Sequence, residues 1–210
     1  MFRISRIVTA ALIGLFIAGT ANAGNIIEDW SKVKAPPAPK LEAISVSAKD
    51  TALIIMDIQS TSCVAKRRPR CVATLAPIKD LLARARAKDM FVVHTFTSSA
   101  SVDKILPEVA PKQGEPAFSS TVNKFHGSDL DKMLKDRGIK NVIIVGTSAE
   151  GAVMGTLMGG AVLGYKMIVP VDGMSSGDLY AEQYVAYSTL KSPATRGKAV
   201  LTKIDMIEIK

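Results

Sequence analysis

Short uncharged apolar runs alternate with segments of helical spacing along most of this 210-residue chain, and this alternation constrains the fold more than any other feature. Apolar runs without polar alternation are typical of strands buried on both faces. They predict strands at residues 51–57, 90–96, 141–145, 166–169 and 199–201. Helices are predicted at 72–88, 129–137 (between Ser128 and Gly138), 152–163 and 180–190. Strands that alternate with helices build βαβ units. We therefore predict an α/β fold: a doubly wound, mostly parallel sheet in a Rossmann-like three-layer arrangement with right-handed crossovers.

The composition excludes several classes of protein. Apolar residues make up 48% and charged residues 22% of the chain, so the chain as a whole is not intrinsically disordered. Two cysteines and two histidines are too few for a disulfide scaffold, and they leave little material for a metal centre. The net charge of +8 comes with only 5% aromatic residues, which argues against nucleic-acid binding. We expect no metal, no cofactor and no nucleic-acid partner.

The N-terminus has the pattern of a signal peptide. Arg3 and Arg6 precede an uncharged apolar run that ends at Ala21-Asn22-Ala23. The alternative is an uncleaved anchor, but the apolar run is shorter than the roughly 20 residues of a spanning helix. We predict a signal peptide at residues 1–23, an extended Pro-rich arm at 24–47 and the folded domain at 48–210. The mature protein would then be periplasmic or secreted, without a membrane span.

The apolar stretch from Gly151 to Val171 could also be taken for a membrane helix. Lys166 interrupts it, Pro170 ends it, and glycines recur at 151, 155 and 159. Glycines at this spacing are found in membrane helix pairs, but they also let a helix pack closely on a sheet. We favour the sheet-packing interpretation.

Three segments fall where parallel sheets bind ligands, outside the carboxyl ends of the strands. Asp57 ends an all-apolar strand, and a carboxylate there is costly to bury unless a partner compensates it. Alternatively, Asp57 only caps the following turn. Lys124 follows an extended segment, although a lone lysine is usually a solvated surface group. The turn Gly146–Ala152 joins a buried strand to a helix rich in small residues, where backbone N–H groups face a ligand.

Together these segments resemble the isochorismatase-like or cysteine hydrolase family, which includes nicotinamidases, carbamoylsarcosine-type amidohydrolases and isochorismatases. The resemblance covers about residues 50–207. It is carried by Asp57-Ile-Gln59, by Lys124 before Gly127-Ser128-Asp129-Leu130, and by Gly146-x-x-Ala149-x-x-Ala152-Val153-x-x-Thr156 followed by Ala161 and Gly164-Tyr165. It implies an isochorismatase-like fold and a catalytic site at Asp57, Lys124 and Ala152. The substrate-binding residues would be Gln59, Gly146, Ala149, Gly151 and Phe125. The resemblance also implies a homo-oligomer.

The chain departs from the family at the residue that performs nucleophilic attack. Ala152 stands where the family has its cysteine, and an alanine methyl cannot attack a carbonyl. Ala149 likewise replaces a threonine. The Asp-x-His metal signature of nicotinamidases is absent from the region around His94, which reads His94-Thr-Phe-Thr-Ser-Ser-Ala100. We interpret His94 as a core or rim histidine rather than a ligand.

Two hypotheses of function remain. In the first, the protein is a small-molecule hydrolase that needs no cysteine, as the resemblance to the isochorismatase branch implies. Asp57 is then the general acid/base and Lys124 its electrostatic partner, with backbone amides of Gly151 and Ala152 holding the substrate. In the second, the protein binds a small molecule without turning it over, because a missing nucleophile costs orders of magnitude in rate. The ligand is a small molecule, with an anion as one option.

Cys63 and Cys71 bound a basic loop that follows Asp57. In an exported chain we favour a disulfide between them, which would hold this loop over the mouth of the site, over two free thiols. A sharper hypothesis makes Cys63 a relocated nucleophile. The loop carries four positive residues: Lys66, Arg67, Arg68 and Arg70. They form either a solvated charge run that is attracted to anionic surfaces, or a device that steers an anionic ligand.

Overall fold

The computed structural model describes residues 24–210. The predicted signal peptide at 1–23 lies outside them. The described chain comprises two units, residues 24–38 and Pro39–Lys210. The first unit contains a 3-10 turn at Trp30–Lys32, and its apolar side chains Ile26, Ile27, Trp30 and Val33 are exposed. Within residues 24–210, no helix combines the length and the apolar character needed to cross a bilayer.

The second unit is an α/β domain with a parallel sheet, as predicted. Its strands are β1 (Ile44–Val46), β2 (Thr51–Met56), β3 (Phe91–Phe96), β4 (Ala117–Ser119), β5 (Asn141–Thr147), β6 (Lys166–Pro170), β7 (Met174–Ser175), β8 (Ala199–Thr202) and β9 (Ile207–Ile209). Its helices are α1 (Pro69–Ala87), α2 (Leu130–Lys135), α3 (Met154–Val162) and α4 (Leu179–Lys191). The main sheet has the order β4-β3-β2-β5-β6-β8, β7 pairs with β5, and every pairing is parallel.

Helices cover both faces of this sheet. Side chains of β2 alternate between the two layers, so that Ile54 and Met56 pack with α2, α3 and α4, whereas Leu53 and Ile55 pack with α1. All six residues of β2 are buried, which is why the strand reads as a continuous apolar run. After β2 the chain adds β3 and β4 on one side of the sheet, and after β5 it adds β6 and β8 on the other side. A ligand site is therefore expected beyond the carboxyl ends of this pair.

The predicted element boundaries needed several corrections. Helix α1 begins at Pro69 rather than at Val72, because a proline fits the first helical position. Helix α2 is shorter than predicted, and β5 continues to Thr147. Strand β1 lies within the segment predicted as an extended arm and pairs with β9 in a separate two-stranded sheet. Strands β1, β4, β7 and β9 span only two or three residues, which is too short for a period to show in the sequence.

The glycines of α3 allow close packing, but the neighbours differ from those expected. A Cβ atom at Gly155 would lie 2.8 Å from the carbonyl oxygen of Val122, and one at Gly159 would lie 2.5 Å from the Asn123 side chain. These two glycines therefore accommodate the segment that leads to Lys124 rather than the sheet. Gly160 packs on the sheet itself, where a Cβ would lie 2.4 Å from the sulfur of Met167 in β6.

Candidate active site

Asp57 leaves the end of β2 in a conformation that few residues adopt. Its φ is +57°, in the left-handed region, which Asp tolerates better than most non-glycine residues. Its N–H donates to the carbonyl of Thr95 at 3.0 Å, and the Ser62 hydroxyl donates to its carbonyl oxygen at 2.7 Å. The backbone is thus held on both sides, and the carboxylate is directed away from the strand. The Asp57 side chain does not cap the turn within residues 24–210, where its hydrogen bonds go to the side chains of Thr95 and Lys124.

Asp57 and Lys124 form a buried ion pair. The ammonium of Lys124 donates to Oδ1 at 3.0 Å and to Oδ2 at 2.8 Å, and its third bond goes to the Thr121 carbonyl at 2.8 Å. The Lys124 side chain is 0% exposed and that of Asp57 is 8% exposed. The alternative of a solvated surface lysine is therefore wrong. The cost of burying the charge is met by a carboxylate and a carbonyl.

Thr95 is the third member of this cluster, and the sequence did not single it out. Its hydroxyl donates to Asp57 Oδ1 at 3.0 Å from the adjacent strand β3, and the residue is buried. A carboxylate offers about four acceptor positions. Among the described residues, protein groups occupy two on Oδ1 and one on Oδ2. The remaining position on Oδ2 is the one from which Asp57 can accept a proton from a ligand, or return one to it.

Gly146 lies beside Asp57 because β2 and β5 approach each other closely at their ends. Its φ is +137°, and a Cβ would lie 2.0 Å from the Met56 carbonyl oxygen. Only glycine fits this place, so the fold itself requires Gly146, independently of any ligand binding.

The turn after β5 is a single π-helical turn, Ala149–Val153, which continues into α3. The Val153 N–H donates to the Ser148 carbonyl at 3.1 Å, as the wider π ladder requires. The first N–H groups of a helix lack an intrahelical acceptor and favour an anion, but here the Gly151 N–H donates to the Ser148 carbonyl at 3.2 Å and is not free for the substrate-binding role predicted for it. Ala149 and Ala152 are buried, whereas Gly151 is half-buried at the surface of the turn. The Lys124 N–H donates to Thr156 Oγ1 at 3.2 Å and joins the Lys124 segment to α3.

Gln59 and Phe125 have clear packing roles. The Gln59 amide donates to the hydroxyls of Thr61 and Thr97, and its oxygen accepts from the Thr97 N–H, so its side chain links two loops. The Phe125 ring stacks on Tyr165 at a centroid distance of 5.6 Å within the core. Substrate contacts by these two residues remain predictions.

The cysteines form the predicted disulfide. Cys63 and Cys71 are bonded, with their Cα atoms 5.3 Å apart. The hypothesis that Cys63 is a relocated nucleophile is contradicted, because a disulfide sulfur is not a thiolate. The loop between them lies at the strand-end edge: Arg68 donates to Thr147 Oγ1 at 3.2 Å, and Arg70 forms a bidentate pair with Glu182. The four positive residues therefore do not form one solvated run. Of the four, Lys66 and Arg67 are exposed and have no ion-pair partner within residues 24–210, whereas Arg68 is half-buried and Arg70 is paired with Glu182.

His94 is a core histidine, as predicted. It is fully buried on β3, and its Nε2 lies 2.8 Å from Glu115 Oε2. Burial lowers the pKa of its ring, so the ring is neutral at pH 7 and donates through Nε2. This position is on the α1 face of the sheet, among the residues that pack with α1, and not in the Asp57 cluster.

The comparisons with known proteins agree on one family. The sequence profile of the isochorismatase domain matches residues 51–205. The secreted isochorismatase effector Isc1 of Verticillium dahliae is 27% identical over 147 residues, which cover 64% of this chain and 77% of the effector.

Solved structures show the same fold. A cysteine hydrolase from Pseudomonas syringae pv. phaseolicola superposes with a TM-score of 0.67 at 20% identity, over 80% of this chain and 95% of that chain. An isochorismatase family protein from Desulfovibrio vulgaris subsp. vulgaris gives a TM-score of 0.67 at 19% identity, over 75% and 95%. Because the profile spans most of the chain, the chain belongs to the isochorismatase domain family.

Proposed function

We propose that the protein is an exported isochorismatase-like hydrolase that acts on a small molecule without a cysteine nucleophile. The observation that supports this proposal is the buried Asp57–Lys124 pair with its one remaining acceptor position on Asp57. A buried ion pair is a poor source of stability compared with apolar packing of the same volume. Its presence at the strand ends is better explained by chemistry than by folding.

In this mechanism Asp57 is the general acid/base. Its Oδ2 accepts a proton from water or substrate and returns it to the leaving group, while Lys124 and Thr95 hold the carboxylate in one orientation. Lys124 also stabilises negative charge that develops beside it. The N–H groups at the start of the Ala149–Val153 turn, other than that of Gly151, which donates to the Ser148 carbonyl, would hold an oxyanion.

Ala152 occupies, in this proposal, the position of the family's cysteine. The residue lies in the turn after β5 and is 3% exposed. A methyl group there excludes a covalent acyl-enzyme formed at this position. The substrate bond must then be cleaved by attack of water or by an intramolecular elimination, with Asp57 as the general acid/base.

The alternative is a small-molecule-binding protein without turnover, which the same alanine favours. Replacement of Asp57 by Asn separates the two. We expect Asp57→Asn to abolish turnover in a panel of amides, esters and enol ethers, whereas Asp129→Asn, at an exposed acid without an ion pair among residues 24–210, retains it. Full turnover in Asp57→Asn, or none in the wild type with ligand binding intact in both proteins, would contradict the hydrolase proposal.

Ala152→Cys tests whether the nucleophile position keeps its geometry. Because both native cysteines are bonded, the new thiol is the only one available to iodoacetamide. We expect it to react faster than the thiol of Ser31→Cys, an exposed control, since a helix N-terminus and a nearby lysine favour thiolate. A thiol slower than the control would show that the amidase geometry is lost.

Export is part of the proposal. It is supported by the disulfide and by the secreted relative in Verticillium dahliae. Expression of the full chain, followed by fractionation and N-terminal sequencing, should give a periplasmic or culture-medium product that begins at Gly24. A cytoplasmic product with residues 1–23 still attached would refute it.

A further inference from the structure

A second polar group lies beside the Asp57 pair, on the other side of the end of β5. It consists of Arg68, Thr147 and Ser175, and is called the Arg68 cluster below. Thr147 and Ser175 are opposite each other in the parallel pairing of β5 and β7, so their side chains share one face of the sheet. Thr147 Oγ1 accepts from Arg68 and donates to the Ser175 carbonyl at 3.1 Å. This face is the one that α1 and the disulfide loop cover.

Arg68 stands where helix electrostatics disfavour a cation. It is the N-cap residue of α1, whose first turn contains no acid, and the positive end of the helix dipole repels its guanidinium. Arg70, two residues on, is compensated by Glu182. Arg68 is half-buried, and within residues 24–210 its guanidinium has no carboxylate partner; its one side-chain hydrogen bond goes to a neutral hydroxyl.

Ser175 supplies a second unused donor. Its residue is 0% exposed, and its hydroxyl has no hydrogen-bond partner among the described residues. A buried hydroxyl without a partner is costly, because it has lost its hydrogen bonds to water. A guanidinium and a hydroxyl with spare donors, at the positive end of a helix, together call for an acceptor with negative charge.

We propose that the Arg68 cluster binds a carboxylate of the small molecule that occupies the site. The planar guanidinium fork matches the two oxygens of a carboxylate, and the Ser175 hydroxyl adds a third donor. This inference rests on the proposed function, because it assumes that a ligand lies at the ends of β2 and β5. It deepens that function by assigning a carboxylic acid as the substrate class and Arg68 as the residue that selects it.

Backbone hydrogen bonds hold Arg68 within the loop that the disulfide closes. The Arg68 N–H donates to the Val64 carbonyl at 2.8 Å, and the Cys71 N–H donates to the Arg68 carbonyl at 3.0 Å. Arg68 is therefore held from both sides inside the Cys63–Cys71 loop. A long cationic side chain on a tethered backbone loses less conformational entropy when it binds a ligand.

The test measures the thermal stabilisation of the oxidised protein by malonate, a simple dicarboxylate, at constant ionic strength. Malonamide, its neutral analogue, and inorganic phosphate serve as comparisons. The matched variants are Arg68→Gln and Arg67→Gln, two adjacent arginines in one loop with the same change of charge. Ser175→Ala removes the unpartnered hydroxyl, and Arg68→Lys keeps the charge but removes the fork.

We expect malonate to stabilise the wild type and Arg67→Gln alike, and Arg68→Gln to lose affinity at least about tenfold. Ser175→Ala and Arg68→Lys should lose less, and malonamide should have no effect. If Arg68→Gln does not fold, Arg68→Lys replaces it in the comparison and should still bind malonate more weakly than Arg67→Gln does. Equal losses at positions 67 and 68, equal effects of malonate and malonamide, or tighter binding of phosphate would each overturn the carboxylate assignment.

The outcome is independent of catalysis. Malonate binding that depends on Arg68, in a protein that turns nothing over, would support the Arg68 cluster and contradict the hydrolase. Turnover of carboxylate substrates that is unchanged in Arg68→Gln would do the reverse.

Discussion

Two groups of charges in this protein each pair a carboxylate with a cation, but Asp57 and Lys124 are buried, whereas Glu115 and Arg86 are half-buried. One is the Asp57–Lys124 pair with Thr95. The other, called the Glu115 cluster here, consists of Glu115, Arg86 and His94. Glu115 accepts from Arg86 Nε and Nη2 at 2.7 Å, from His94 at 2.8 Å and from the Lys112 N–H at 2.9 Å.

The difference lies in the acceptor positions. Four protein donors contact Glu115, one at Oε1 and three at Oε2, whereas Asp57 receives two at Oδ1 and one at Oδ2. Glu115 and Arg86 line a cleft of about 650 Å³ near the start of β3, and they form an ion pair with each other. In our proposal the four donors to Glu115 fasten loops, whereas Asp57, with three, keeps an acceptor position for a ligand. Ion pairing alone therefore does not identify a catalytic group.

The largest effect is expected from a substitution that breaks the Asp57–Lys124 pair. Lys124→Met leaves the Asp57 charge buried without its partner and should lower the free energy of unfolding by about 3–5 kcal/mol. Lys135→Met, at an exposed lysine paired with Asp131, should change it by less than about 1 kcal/mol. Denaturant unfolding measures both.

If Lys124→Met does not fold, the double variant Asp57→Asn with Lys124→Met decides, since it leaves no lone charge and should recover part of the loss. Equal unfolding free energies for Lys124→Met and Lys135→Met would mean that the pair is not buried as described.

A smaller effect is expected at the Glu115 cluster. Glu115→Gln removes the charge but keeps the shape, and should lower the free energy of unfolding by about 1–3 kcal/mol. Turnover and malonate binding should stay as in the wild type, because this cluster does not touch the strand-end site. A loss of either in the folded variant would remove the distinction between the two groups.

Thr95 gives a finer test of the Asp57 side. Thr95→Val replaces the buried hydroxyl by a methyl of similar size and should cost about 1 kcal/mol in unfolding free energy. Thr95→Ser should restore most of it. If the valine variant is as stable as the serine variant, the hydroxyl does not contribute to holding Asp57.

The smallest effect is a pH dependence. Although burial raises the pKa of Glu115, Arg86, the Lys112 amide and His94 together hold it at about 2, below the ordinary 4.5. A carboxyl with a lowered pKa stabilises the fold above its unfolded pKa, so this contribution is lost as the pH falls from about 4.5 towards 2. His94, whose pKa burial lowers, adds a loss that begins as the pH falls below its ordinary 6.5.

Unfolding free energies measured across this range should therefore fall with acid. The fall between pH 4.5 and 2 should be shallower in Glu115→Gln. The same slope in that variant and the wild type would exclude Glu115 as the cause.

The sequence was most informative where burial is continuous. The all-apolar β2 run and the polar residue after it predicted the sheet and its carboxyl edge, whereas the pairing of Asp57 with Lys124 was expected from the family resemblance. Thr95 escaped notice because a threonine inside a strand reads as a strand former, and its partner lies 38 positions away.

Arg68 was recognised only as one of four basic loop residues, and its place beside Ser175 was not predicted, for a related reason. Their proximity depends on the pairing of β7 with β5, and β7 has only two residues. At Ala149–Val153 the sequence predicted a turn up to Ala152 and an ordinary helix from there, since the wider ladder of a π turn leaves no compositional mark.

The Cys63–Cys71 bond has a consequence for anyone who prepares this protein. A reducing cytoplasm keeps thiols free, so material purified from there and material purified after export will differ by one covalent bond next to Asp57. Two samples with the same sequence and mass within two hydrogens could then give different ligand affinities. A thiol titration of each batch would show which of the two has been assayed.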